Sequence, residues 1–212
     1  MSTADDRGHV PHQRKTVLEN SNGGNGNSGG VASTEFKKAL GKFASGVTVV
    51  TIKVGGITRG MTVSAFFSLS MDPPLVAVAV HKQSKLHSHL QEATDFGISI
   101  LASHQANLSD HFAGRRREVA DIQFAEVGCV PVIEDALVHL CCAVAARYDG
   151  GDHTIYIGLV RDLKHREDCE ALVYFSGNYR TFDSTAMNNR RRPTDCDTRT
   201  ETARVRKSGQ AQ

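Results

Sequence analysis

Between Arg59 and Asp72, in the stretch GMTVSAFFSLSMDPP, hydroxyls stand at Thr62, Ser64, Ser68 and Ser70 and no charged residue interrupts them. On an extended strand successive side chains point to opposite faces, so these hydroxyls share one face with Phe66. Met61, Val63, Ala65, Phe67, Leu69 and Met71 share the other. Such a row has two readings: the wet outer face of a half-exposed antiparallel strand, or a surface along which a flat ring or a phosphate lies closely while small donors and acceptors satisfy its oxygens. Surface strands more often carry longer, charged side chains, which favours the ligand. A second feature is Ser84–Lys85 ahead of Leu86, Leu90 and Ala93. A lysine at a helix N-terminus adds a point charge to free backbone N–H groups and makes an anion site; a solvated first-turn lysine is the other reading. A third is His153 in the run GDH, a residue type that serves either as general acid or base or as an ordinary turn residue.

Other chemistries find no support. His87 and His89, at i and i+2 of the expected helix, point apart, and no cysteine or acid joins them and His81 into a tetrahedral set, so no metal site is expected. Cys141 and Cys142 are adjacent on a strand and face opposite ways, which suits core packing. The five cysteines are odd in number and form no CxxC pair, the start MSTADDRGHV does not resemble a secretory signal, and a reducing cytoplasm is the expected location. Gly24, Gly26 and Gly29 match the letters GxGxxG, but no strand precedes them and no helix follows directly, so they read as linker. With 25 basic against 23 acidic residues, a net charge of +2 gives no general reason to expect nucleic acid or an anionic membrane. The longest apolar run, LVAVAV, is far short of the roughly 20 residues that cross a bilayer.

The elements that must position these residues occupy the middle of the chain. Residues 1–33, polar and ending in glycine and asparagine, read as a disordered arm, and 183–212, with the basic run RRRPTDCDTR, as a polar tail. The domain at 34–182 opens with an amphipathic helix of Phe36, Leu40 and Phe43, capped by Ser33 or Thr34 and packed on the following sheet. GVTVVTIK is a strand, Gly55 and Gly56 turn the chain, and the hydroxyl stretch returns as its hairpin partner. LVAVAVH and FGISIL are strands separated by the helix after Ser84, and Leu108 with Phe112 marks a further helix. HLCCAVAARY and TIYIGLVRDL form a long hairpin about DGGD, and ALVYF is a last strand. Many strands with two or three helices predict a mainly β fold, an antiparallel barrel or sandwich.

In this order and spacing, FKKALGKFASGVTVVT, GMTVSAFFSLSMDPPLV, SKLHSHL, FGISIL, SDHFAG, GDHTIYIG and YFSGNYR resemble the flavin reductase domain of two-component flavin-dependent monooxygenases, a Greek-key split β-barrel of the FMN-binding type. The resemblance implies a homodimer of six-stranded barrels that uses NADH or NADPH to reduce FMN or FAD and hands the reduced flavin to an oxygenase component. It further implies that Arg59, Gly60, Met61 and Thr62, with Ser64, Ala65 and the Ser68 face, hold the isoalloxazine ring; Ser64 departs from the asparagine common there. Ala79, Val80 and His81 would run beside the flavin's polar chain, Ser84 and Lys85 would hold its phosphate, and His111 and Phe112 would close the pocket. Tyr174, Phe175, Ser176 and Gly177 would form the far wall, with Tyr179 and Arg180 adjoining. His153 would position nicotinamide over the flavin in an open groove, with proton supply as a secondary role. Two alternatives stay open: a flavoprotein that retains FMN for electron transfer to another acceptor, and a non-enzymatic flavin-binding barrel.

Overall fold

Strands rich in valine and isoleucine build the centre of the molecule. The computed structural model describes residues 31–115, 119, 121–167 and 169–181; the arm before residue 31, with Gly24, Gly26 and Gly29, and the tail after residue 181 lie outside them. Strand β2 (Thr48–Val54) buries its first five residues, and consecutive Val49 and Val50 belong to different apolar clusters. A strand whose two faces are both covered is a nearly continuous β-branched run, as this one is.

A hairpin at Gly55 (φ +57°) and Gly56 (φ +81°) leads to β3 (Ile57–Val63), the positive φ values being those a two-residue hairpin turn demands. β4 (Phe66–Met71), β5 (Pro74–His81), β6 (Asp95–Ile100), β9 (Val138–Gly150) and β10 (His153–His165) complete a seven-stranded sheet of order β3-β2-β6-β9-β10-β5-β4. Every neighbouring pair is antiparallel. Two small sheets flank it, β1 (Ser45–Gly46) with β11 (Val173–Phe175) and β12 (Asn178–Arg180), and β7 (Phe124–Val127) with β8 (Val130–Ile133). β3 and β4 lie at opposite edges yet are joined by only Ser64 and Ala65. The sheet must therefore curl until its edges meet at that corner, where the ladder stays open. This is the mainly β, split-barrel architecture the sequence predicts.

Helix α2 (Lys85–Glu92) buries Leu86 and Leu90 in the cluster of Val50, Val80, Phe96 and Tyr156. Helix α3 (Ala106–Phe112), entered through a 3₁₀ turn at Ser103–Gln105, packs Leu108 and Phe112 on the second cluster, around Val47, Val49 and Leu172. Cys141 and Cys142 are core residues, 2% and 0% exposed, as their strand alternation predicts.

Three expectations are corrected. The hydroxyl stretch is not one strand: it breaks at Ser64–Ala65, where Ala79 N–H bonds the Ala65 carbonyl, and the register slips again between Ser68 and Ser70. Thr62, Ser64, Ser68 and Ser70 therefore do not share one face. Helix α1 (Ser33–Leu40) buries no side chain on the sheet, leaving Phe36, Leu40 and the following Phe43 exposed. Its N-cap is Ala32, without a side-chain bond, so neither Ser33 nor Thr34 caps it. The hairpin β7–β8 and the short β1 and β12 were not anticipated, being too brief to carry a periodic pattern.

Candidate functional site

The N-terminus of α2 faces β3 across a cleft of about 380 Å³ lined by Arg59, Gly60, Lys85 and Ser88. Ser84 caps the helix, its Oγ accepting from His87 N–H at 3.2 Å, which leaves its hydroxyl hydrogen free to donate. Two cations, Arg59 and Lys85, thus stand beside a capped helix N-terminus whose dipole also favours an anion. Gly60 lets α3 pack closely on β3, because a Cβ there would lie 2.8 Å from the Phe112 ring. His111 meets Phe112 edge-on, ring centroids 5.0 Å apart, and His111 Nδ1 is buried with no hydrogen-bond partner among the described residues.

A second, smaller cavity of about 150 Å³ contains Thr62, Ser64, Ser109, Arg115, Tyr174 and Tyr179. Thr62 Oγ1 donates to the Ser109 carbonyl at 2.7 Å, which ties β3 to α3. The Tyr179 hydroxyl lies 2.8 Å from Asp110 Oδ1 and 2.9 Å from Ser109 Oγ, and burial pushes its pKa up. Arg115 Nη2 donates to the Tyr174 hydroxyl at 3.2 Å; that bond raises the arginine's already high pKa, so its charge is permanent. Gly60 and Thr62 on β3, facing Phe112 and Ser109 on α3, place the two openings beside the same helix.

A third group stands where β5 and β10 end. His153 pairs in register with His81, and the two rings meet edge-on with centroids 5.0 Å apart. Asp152 bridges them, Oδ1 2.7 Å from His153 Nδ1 and Oδ2 3.7 Å from His81 Nε2. The hydrogen bond from His153 is the main cause that holds the Asp152 carboxyl below its ordinary range. With Nδ1–H engaged by the carboxylate, His153 is left with Nε2 as the ring nitrogen available to a ligand. The turn itself is pinned by Lys82, whose N–H bonds the Asp152 carbonyl at 2.9 Å and whose Nζ reaches the Gly151 carbonyl at 2.6 Å and the Asp149 carboxylate.

The expected site residues are thus distributed over two openings and a pair of strand ends. Arg59, Gly60 and Lys85 line the α2 cleft, with Phe112 against Gly60; Thr62, Ser64 and Tyr174 line the second cavity; His81 and His153 meet at the strand ends. Met61 packs on the core, Val80 is fully buried, and Ala79 is half-buried, so β5 offers a ligand chiefly its backbone. Ala65 and Ser68 are exposed. Phe175 lies under Lys42, and Ser176 (φ +49°) with Gly177 (φ +82°) forms the β11–β12 turn. His87, weighed for a metal, is spent on Thr154 and Gln91. Asp152, Asp110 and Arg115 were missed: DGGD reads as a turn whatever its second aspartate does, and nothing local announces that Asp110 and Arg115 meet tyrosines 69 and 59 residues on.

The flavin reductase like domain matches residues 40–183. The chain is 42% identical over 156 residues to an NADH-dependent flavin reductase from Rhodococcus sp, covering 72% of this chain and 88% of that one. It is 46% identical over 145 residues to the reductase component of 4-hydroxyphenylacetate 3-monooxygenase from Thermus thermophilus, covering 68% of this chain and 93% of that one. Among solved structures it is similar to the native state of the flavin reductase PheA2, with TM-score 0.70 and 39% identity over 72% of this chain and 99% of that one.

Proposed function

The chain belongs to the flavin reductase like domain family, and from that premise we propose that it is an NADH-dependent flavin reductase supplying reduced flavin to a partner oxygenase. The observation that carries the reading is the α2 cleft, where Arg59 and Lys85 converge beside a Ser84-capped helix end, with Gly60 on the facing strand. The residues present fit a flavin: two cations for its phosphate, a Ser84 hydroxyl hydrogen free to donate, and in His111 Nδ1 a buried polar atom without a partner among the described residues. When bound, flavin supplies the acceptor for the hydride that NADH delivers, so the protein's part is alignment and exclusion of water.

Lys85 and Arg59 hold the phosphate; the backbone of Arg59–Ala65 and of Ala79–His81 borders the ring. Phe112 with His111 covers the cleft. His153 orients the nicotinamide through Nε2, and Asp152 holds it in that tautomer. We place a second copy of the chain against the exposed apolar side chains of β4, Phe67, Leu69 and Met71, since a monomer rarely leaves such a row open to water. A homodimer of this kind would bring a second set of walls to openings that are shallow in one chain. The described cysteines, Cys129, Cys141, Cys142 and Cys169, are free thiols, in keeping with a reducing cytoplasm; no helix among the described residues is long and apolar enough to cross a membrane.

The test is NADH oxidation with excess FMN or FAD. The wild-type chain should turn over NADH, and His153→Ala should lose about 10- to 100-fold in kcat, the order a misaligned reactant costs, while FMN affinity measured by titration stays unchanged. Absence of NADH oxidation with both flavins would overturn the function, and an unaltered His153→Ala rate would remove that residue from it.

A further inference from the structure

Most described cations near an acid are paired with it: Lys53 with Glu126, Lys82 with Asp149, Arg115 with Asp110, Arg161 with Asp95, Arg166 with Asp135. Two clefts break this pattern among the described residues: that of Arg59 and Lys85, already described, and a second. Between α1 and the β11–β12 turn lies an opening of about 470 Å³ lined by Lys37, Lys38 and Lys42 together with Thr34, Tyr174 and Ser176. Among the described residues none of the three ammonium groups faces a carboxylate; Glu35, the acid of α1, sits in its first turn, and Lys42 only overlies the Phe175 ring at 5.8 Å. Three like charges around one concavity repel one another and raise the local concentration of anions.

We propose that this cleft binds the diphosphate of an adenine nucleotide. The backbone does not supply the attraction: the cleft adjoins the C-terminal, electronegative end of α1, and the amides of Gly41 and Ser176 are already given to the carbonyls of Lys37 and Gly41. Binding must come from the ammonium groups and so must weaken steeply with salt. Dipole complementarity accounts for the basic residues of the last turn, Lys37 and Lys38, but not for Lys42, which lies beyond the helix. The volume is that of a nucleotide-sized ligand rather than of orthophosphate. Tyr174 lines both this cleft and the cavity of Thr62 and Ser64, so the two openings adjoin. Two sources of the same chemistry reach it: the adenosine diphosphate end of NADH or FAD, which rests on the reductase reading above, and a free nucleotide, which does not.

The experiment is a fluorescence titration of the full chain with N-methylanthraniloyl-ADP at low and at physiological salt. It is run on the wild type and on the triple variant Lys37→Gln, Lys38→Gln, Lys42→Gln, all three side chains being exposed and circular dichroism verifying the fold. Saturable, salt-sensitive binding that weakens tenfold or more in the variant is expected. A raised KM for NADH at constant kcat assigns the site to the NADH tail, and weaker FAD but unchanged FMN binding to the flavin tail. Loss of ADP binding with all steady-state constants unmoved assigns it to a free nucleotide. No saturable binding to the wild type, or equal binding by the variant, overturns the proposal. Because ADP binding is read directly, that outcome is separable from any failure of NADH-dependent flavin reduction.

Discussion

β3 and β4 come from one stretch of alternating hydroxyl and apolar residues, yet they meet different fates at opposite edges of the sheet. On β3, Gly60 lies under Phe112, Thr62 is bonded to α3, and Val63 is 4% exposed. On β4, Phe67, Leu69 and Met71 are 54%, 45% and 87% exposed. Both are extended strands; the difference is that α2 and α3 pack over β3, while nothing among the described residues covers these β4 side chains. Alternation records which side chains share a face, whereas a site needs a second element to close over that face. β3 has its cover from its own chain, and β4 is proposed to find it in a second copy.

That contrast breaks most directly on β4. Phe67→Ser combined with Leu69→Ser removes two large apolar groups from each copy. At about 1.5–3 kcal/mol per buried side chain the dimer should weaken by more than a thousandfold. Sedimentation at micromolar concentration should then show monomer, with the far-ultraviolet spectrum retained; a dimer of wild-type affinity would sink the assignment of β4 to the interface. On β3 the sensitive position is Gly60. Gly60→Val drives a side chain into the Phe112 ring and should lower stability by about 1–3 kcal/mol, the usual cost of overpacking, with at least a tenfold loss of FMN affinity. Ser68→Val on β4 should change stability by less than about 0.5 kcal/mol. If denaturant titration found the two valines equivalent, the distinction between the strands would fail.

What was legible in the chain follows the same line. Strands β2, β5, β6, β9 and β10 and helices α2 and α3 declare themselves by local periodicity, α2 at its place after Ser84. The break at Ser64–Ala65 does not, because it depends on where β5 lies: Ala65 gives its carbonyl to Ala79, and no local propensity encodes that partner. The exposed α1 face was misread for a related reason, since periodicity locates an apolar stripe without naming what it packs on. The place of Lys85 at a helix start and of His153 beside a turn was readable from neighbours in sequence, while Asp110 meets Tyr179 and Arg115 meets Tyr174 through contacts that only the tertiary fold creates.

A smaller effect tests how β3 is held to its cover. Thr62→Val keeps the shape but removes the 2.7 Å bond to the Ser109 carbonyl, for an expected loss of about 1 kcal/mol. The matched Ser70→Val on β4 should be close to neutral. Equal denaturation midpoints for Thr62→Val and wild type would mean that α3 does not need this tie.

The smallest expected effect lies at Asp152, where cover is replaced by electrostatics. Its carboxyl is held below the ordinary range chiefly by the His153 hydrogen bond. A depressed folded-state pKa contributes stability that is present in full above the ordinary aspartate value of about 3.9 and is lost as pH falls through the lowered one. Across pH 5–8 the carboxylate therefore stays ionised and the His153 ring stays oriented. Asp152→Asn should raise the KM for NADH about two- to fivefold with a smaller change in kcat and no change in FMN affinity, because the amide still fills the turn but no longer accepts from Nδ1–H through a full charge. Denaturant midpoints of wild type and variant should differ above about pH 5 and converge as the medium is acidified below the ordinary aspartate value. A difference that grew on acidification would carry the opposite sign and show that Asp152 is not stabilised as the anion, leaving His153 without its fixed tautomer.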